Sequence, residues 1–168
     1  MAEEALYRDN PAMDFVDREK LIQRYSHGFA AVTAALAGIT PAEVDRRPAA
    51  GAWTPREVVH HLADSEANSY IRLRRLIAED RPVIVGYDET IWATRLYYDG
   101  EIDAPLAVLK ALREASVQLL ARLGADEWRR EGTHTESGPY SVTRWLEIYA
   151  NHAHDHAEQI LRARQGVA

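Results

Sequence analysis

Three of the seven histidines fall within five residues, in the run Asn151-His152-Ala153-His154-Asp155-His156. The surrounding pattern reads as a helix from Ser141 to Arg164. On a helix, residues four apart stand one above the other, with Cβ atoms about 5–6 Å apart. His152 and His156 have that spacing, so both imidazoles can reach one metal ion, whereas His154 points to another face. At about 100° per residue the pair falls within roughly 60° of Tyr149, together with Val142, Trp145 and Ile160, on the stripe that faces the interior. Asn151, His154 and Glu158 face away. A single inward histidine is ordinarily a hydrogen-bonded core residue. Two on one apolar stripe need several polar partners or a shared cation, and a third ligand from elsewhere in the chain decides between these readings.

Composition narrows the chemistry. The 168 residues are 46% hydrophobic and 27% charged, which suits one globular domain with a real core. A net charge of −6 argues against nonspecific nucleic-acid binding, which needs a basic surface. Without cysteine there are no disulfides, no thiolate zinc site and no cysteine nucleophile, so nitrogen and oxygen must hold any metal. No apolar run approaches the length of a membrane span, and the first residues lack the basic-then-apolar signature of a secretion signal. The expectation is a cytoplasmic protein with neither nucleic acid nor membrane as partner.

Four long amphipathic segments must position the histidines. Residues 1–13, with Asn10-Pro11, read as an irregular arm. From about Phe15 to Leu36 the apolar residues Val16, Leu21, Ile22, Tyr25, Phe29, Val32 and Leu36 recur at helical spacing, with Gly38 as a stop and His27 off the stripe. Thr40-Pro41-Ala42-Glu43 is a helix-start signal opening one short turn, and Thr54-Pro55-Arg56-Glu57 repeats it before a helix running to about Glu79. That second long helix has the stripe Val58, Val59, Leu62, Glu66, Tyr70, Leu73 and Ile77, with one acidic interruption. His61 sits at the edge of the stripe and His60 nearly opposite. Residues 81–99 show no clean period and read as a long loop with a β-like run at Val83-Ile84-Val85. A loop this long is a lid or one wall of a site, or it seals the core with its aromatic residues. Asp103-Ala104-Pro105 caps a third long helix carrying Leu106, Leu109, Leu112, Val117, Leu120 and Leu123 inward, closed by Gly124. Asp126-Glu127-Trp128 begins a short turn. Gly132 to Ser141 is a loop or hairpin in which His134 is expected at the surface.

Four such helices read as an all-α four-helix bundle in a single domain. Bundles build metal sites from side chains projecting inward off facing helices. His61 from the second long helix would join His152 and His156 from the fourth in a three-histidine set with open coordination positions. Ala153 stands where the general base of an HExxH protease would be. A base would then be metal-bound hydroxide or a nearby carboxylate. Asp64 and Glu66 are the candidate catalytic residues, with an ion pair to an arginine as the alternative role for Glu66.

The run Trp53-Thr54-Pro55-Arg56-Glu57-Val58-Val59-His60-His61-Leu62-Ala63-Asp64-Ser65 resembles the YfiT-like branch of the DinB-like superfamily. So do Asn68-Ser69-Tyr70, Tyr87-Asp88-Glu89 with Trp92-Ala93, and the late pair His152 and His156. The resemblance spans about residues 15–164. It implies an up-up-down-down-type bundle, commonly a homodimer, with a divalent metal (zinc, nickel or manganese) on His61, His152 and His156. Members of that branch often carry histidine where this chain has Glu66, and again where it has Gln159. Both departures leave the three ligands untouched and bear on their surroundings and on the substrate.

An open three-histidine site is the arrangement of catalytic rather than structural zinc. The ion can lower the pKa of water, polarise a carbonyl or bind a thiol as thiolate. The resemblance therefore implies a transferase moving a low-molecular-weight thiol onto a small electrophile, or a hydrolase. The alternatives are a non-catalytic stress-response protein that binds metal or a small ligand, and a bundle with structural histidines whose role is dimerisation.

Overall fold

The computed structural model describes residues 15–167, so the arm expected over 1–13 lies outside the described residues. In chain order the elements are α1 (Phe15–Leu36), α2 (Pro41–Val44), α3 (Pro55–Ala78), β1 (Val83–Ile84), α4 (Glu89–Arg95), α5 (Asp103–Leu120), α6 (Ala125–Trp128), β2 (Glu131–His134), β3 (Gly138–Ser141) and α7 (Val142–Gln165). The start signals act as read. Thr40 and Thr54 each form a reciprocal capping box with the glutamate three residues on, ahead of a proline in the first turn. This satisfies two amide groups that would otherwise have no partner at the helix end. Ser141 Oγ accepts from the Arg144 amide at the start of α7, and Gly166 ends that helix in the left-handed region at φ 75°.

Two boundary expectations are corrected. Gly124 has φ −82° and opens α6, its amide donating to Glu127 Oε2 at 2.9 Å, so it does not close α5. Asp103 is the first helical residue of α5 and makes no side-chain cap; its charge still suits the helix N-terminus. The segment 81–99 is also more ordered than its missing period suggests. It contains α4, started by Asp88 Oδ1 accepting from the Ile91 amide. It also contains β1, which pairs in parallel with β2 of the β2–β3 hairpin to make a three-stranded sheet. Such short elements draw their stability from tertiary pairing rather than from local periodicity. Val16, expected on the inner stripe of α1, is exposed.

The four long helices form a ring in which α1 packs on α5 and α7, and α3 packs on the same two. One apolar cluster gathers Tyr25, Leu73, Leu76, Leu120, Trp145 and Leu146. The other gathers Val32, Val58, Val59, Leu62, Leu109 and Ile160. Each helix passes from one cluster to the other, which fixes its direction. In chain order the long helices run up, down, down, up, which corrects the up-up-down-down order that the resemblance implied; around the ring, two parallel neighbours up face two down. The parallel step from α3 to α5 requires a crossover the length of the bundle, and residues 79–102, with β1 and α4, supply it.

Between the clusters lies a polar seam of buried Ser65, Glu66 and Ser69 on α3 and Arg113 and Ser116 on α5. Arg113 Nη1 donates to Glu66 Oε2 at 2.8 Å, its Nη2 to the carbonyls of Tyr25 at 2.9 Å and Tyr149 at 3.0 Å, and its Nε to the Tyr25 carbonyl at 3.2 Å. The Tyr25 hydroxyl donates to Glu66 Oε1. One guanidinium thus joins all four helices. Gly28 makes room for it: a Cβ there would lie 2.8 Å from Ala153 Cβ and 2.9 Å from Arg113 Cζ. Removing one partner of a buried pair strands the other charge, whereas replacing both with apolar groups is often near neutral. Arg113→Met is therefore expected to lower unfolding free energy by about 3–5 kcal/mol, and Glu66→Met with Arg113→Met to recover most of it. Urea titration checks both variants.

Candidate metal centre

His61 comes from the second turn of α3, and His152 and His156 come from successive turns of α7. α3 and α7 pack side by side, so helical spacing and bundle packing together bring the three rings to one place. Ring centroids are 5.4 Å apart for His61 and His152, 4.8 Å for His61 and His156, and 4.5 Å for His152 and His156. One ring nitrogen from each lies within 4.8 Å of the others, and among the described residues this group contains no carboxylate. His152 Nε2 and His156 Nε2 are 3.2 Å apart. Two nitrogens bound at about 2.1 Å to one tetrahedral ion stand roughly 3.4 Å apart, so this pair is already at a chelating separation.

The surroundings keep the rings neutral and aimed. Burial, then the neighbouring His156, depresses His61 from the ordinary 6.5 to about 3. Burial first, then His156, His61 and Arg113, lowers His152 well below its usual range. Burial also lowers His156, against the opposing pull of Gln159 and Asp155. Neutral imidazole is the form that ligates metal. His156 Nδ1 donates to Gln159 Oε1 at 2.7 Å, which leaves the Nε2 lone pair facing His152; a hydrogen bond of this kind on the far nitrogen orients a metal-binding histidine. Among the described residues His61 Nδ1 is buried without a hydrogen-bond partner, a costly state for a polar atom that coordination of a cation by this nitrogen would offset. Trp53 packs on His61 at 4.7 Å and Tyr149 on His152 at 5.7 Å, walling the centre on two sides. The residues present fit a divalent ion.

The other candidates go elsewhere. His60 faces away from the centre, its Nε2 3.1 Å from the Gly100 carbonyl and its ring stacked on Tyr98. His154 Nε2 meets the Arg24 carbonyl of α1 at 2.9 Å. His27 is exposed, as expected. His134, expected at the surface, is buried on β2 with Nδ1 accepting from the Glu136 amide at 3.2 Å. The reason is strand alternation, which turns Gly132 and His134 inward together. Asp64 Oδ2 accepts from the Tyr98 hydroxyl at 2.6 Å, and Glu66 is held in the seam by Arg113 and Tyr25. Burial raises the Glu66 carboxyl, with Arg113 and the Tyr25 hydroxyl opposing the rise.

Residues 24–160 match the DinB superfamily, and the chain belongs to it. It is 40% identical to a protein of Oceanobacillus iheyensis over 118 residues, 70% of this chain and 69% of that one. It is 31% identical to a Bacillus cereus protein over 134 residues, 80% and 78% of the two chains. Both relatives are named candidate metal-dependent hydrolases. YfiT from Bacillus subtilis, described as a probable metal-dependent hydrolase with an unusual four-helix bundle topology, superposes with a TM-score of 0.86 at 30% identity, covering 96% of this chain and 95% of that one.

Metal content separates the histidines. His61→Ala, His152→Ala and His156→Ala are expected to fall from stoichiometric to negligible bound metal, and His154→Ala to stay stoichiometric. Elemental analysis after dialysis decides, and equal content in all four variants refutes the assignment. Acid stability carries its own sign. Unfolded His61 takes a proton near 6.5 and folded His61 only near 3, so between those values the unfolded state binds more protons and stability falls as pH drops. Metal-free protein should lose about 1.4 kcal/mol per pH unit there through His61 alone. Urea titrations at several pH values should show that much less slope in His61→Gln.

Proposed function

We propose that this protein is a divalent-metal-dependent enzyme acting on a small molecule, with a low-molecular-weight thiol as the attacking group. The observation that carries the reading is the convergence of three neutral imidazoles, with no carboxylate in the group, at one walled point. His61, His152 and His156 would hold the ion through nitrogen, leaving at least one position for an incoming ligand. The ion would supply Lewis acidity, favouring the deprotonated form of a bound thiol or water and polarising an electrophile.

What the chain's own groups can contribute favours the thiol. A thiol gives up its proton near neutral pH with little help, because its ordinary pKa is about 8.5, while water is far harder to ionise. The two carboxylates named as bases are both engaged, Glu66 with Arg113 and Tyr25 and Asp64 with Tyr98. Protonating Glu66 would cost its ion pair with Arg113, and Asp64 is tied to Tyr98 of the crossover. Hydrolysis at the same centre is the second reading, favoured by the names of the relatives. A homodimer with the active centre in each copy belongs to the same proposal.

Metal-loaded protein is to be assayed with a panel of thiols against an alkylating electrophile, and with esters and amides in the absence of thiol. Conjugation that disappears in His156→Ala supports the transferase. Cleavage without thiol supports the hydrolase, and inertness in both arms leaves binding without turnover.

A further inference from the structure

A second group of polar side chains stands next to the three histidines on the same two helices. Ser65 follows His61 by one turn on α3, and Tyr149 precedes His152 by one turn on α7. Two turns further along α3, the Arg72 guanidinium reaches back to Tyr149. Its Nη1 donates to Tyr149 Oη at 3.2 Å and its Nη2 to the Val85 carbonyl at 2.9 Å. The Tyr87 ring lies against it, 5.9 Å from Cζ to centroid, and Trp92 backs Tyr87 at 4.3 Å. The Tyr149 ring in turn touches His152. The crossover between α3 and α5 thus closes over this spot with aromatic side chains.

Arg72 differs from the other guanidinium of the interior. Arg113 has Glu66 as a counter-ion, whereas no carboxylate oxygen of the described residues lies within 4.0 Å of Arg72. Its acceptors, the Tyr149 hydroxyl, the Val85 carbonyl and the Tyr140 hydroxyl, are all uncharged, and a guanidinium has five N–H donors, so its charge is unmatched and donating capacity remains. Glu89 and Glu136 feel or flank this charge from further out without closing an ion pair. The phenols beside it stay protonated: burial pushes Tyr87 up to about 12 and raises Tyr149 as well. A half-buried cation with spare in-plane donors, neutral hydroxyls around it and an aromatic wall is built to take an oxyanion, because charge-assisted pairs of this geometry are the strong ones.

We propose that Arg72, together with Tyr149 and Tyr87, anchors a carboxylate of the substrate while the reacting end of the molecule reaches the three histidines. This deepens the functional reading above and rests on it for the position of the reacting end. It restricts the substrate class to small molecules with a carboxylate set back from the reactive group, with an apolar stretch between them for Tyr87 and Trp92.

The test uses matched probes. Malonic, succinic and glutaric monohydroxamates carry a carboxylate at one end and a metal-binding group at the other, and the corresponding methyl-ended hydroxamates lack only the charge. Each is titrated by calorimetry into zinc-loaded and into metal-stripped protein, using wild type, Arg72→Gln and Arg72→Lys. At the best chain length the carboxylate probe should bind loaded wild type roughly ten- to hundredfold tighter than its methyl-ended partner. Arg72→Gln should erase that margin without changing metal content or the methyl-ended affinity, and Arg72→Lys, which keeps the charge but loses the fork, should retain part of it. No margin at any length, or an equal loss for both probes in Arg72→Gln, overturns the anchor. An Arg72-dependent margin in probes that all bind stripped and loaded protein equally tightly keeps the anchor and overturns the metal-centre reading. Methyl-ended probes binding only to loaded protein, with no Arg72-dependent margin, do the reverse.

Discussion

The architecture depends on one buried ion pair. Arg113 and Glu66 are both nearly inaccessible to solvent, and a charge in such a place is tolerated only when it is paired and its remaining hydrogen-bonding capacity is met. Arg113 meets that demand by reaching the backbone of α1 and α7 as well as the carboxylate on α3. Each contact is available in only one arrangement of the helices. A pair of this kind adds little net stability over an apolar replacement, but it penalises any slide of one helix against another that would leave a charge without its partner. Gly28 belongs to the same constraint, since any larger residue would occupy the space where the guanidinium and Ala153 meet α1.

The pair also explains how a polar centre survives inside a small bundle. A continuous apolar core would make three convergent imidazoles an isolated defect. Here the core is already divided: the serines and the ion pair occupy a belt between the two apolar clusters, and the histidines stand one turn along from it, beside Leu62, Ala153 and Ala157 of the second cluster. The positive charge of Arg113 is felt at His152, where it opposes protonation. Burial does most to keep all three imidazoles neutral, and at His152 the guanidinium that locks the helices together adds to it.

Much of this was legible in the residues. The i, i+4 spacing of His152 and His156 on an apolar stripe, and the place of His61 at the edge of another, were enough to bring three rings together, because long helices obey their periodicity. The two capping boxes located α2 and α3 for the same reason. Arg113 was missed, although Leu109, Arg113, Ser116 and Leu120 continue one stripe at spacings of four, three and four; a charge there was the natural counterpart of Glu66 on α3. Arg72 could not be read, because its meaning comes from a crossover whose path no local pattern encodes. The sheet was illegible in the same way. β1 is two residues long, and its pairing with β2 is decided by where α3 ends and α6 begins. His134 followed from neither helix nor loop rules, and became buried once β2 took the alternation of a strand.

The parallel packing of α1 against α7 carries a consequence for how the molecule is made. Arg24 and Asn151, which meet across that interface, are 127 residues apart in the chain. Contacts between such distant segments form late, after the entropy of closing a long loop has been met. While the polypeptide is being synthesised, α1, α3 and α5 can gather around Arg113, yet the groove meant for α7 stays open and His61 stands alone in it. A lone imidazole holds a divalent ion only weakly, so the three-histidine group exists only once α7 has docked. An ion held by the three histidines would therefore bind only after that docking, and its binding free energy would then add to the stability of the fold.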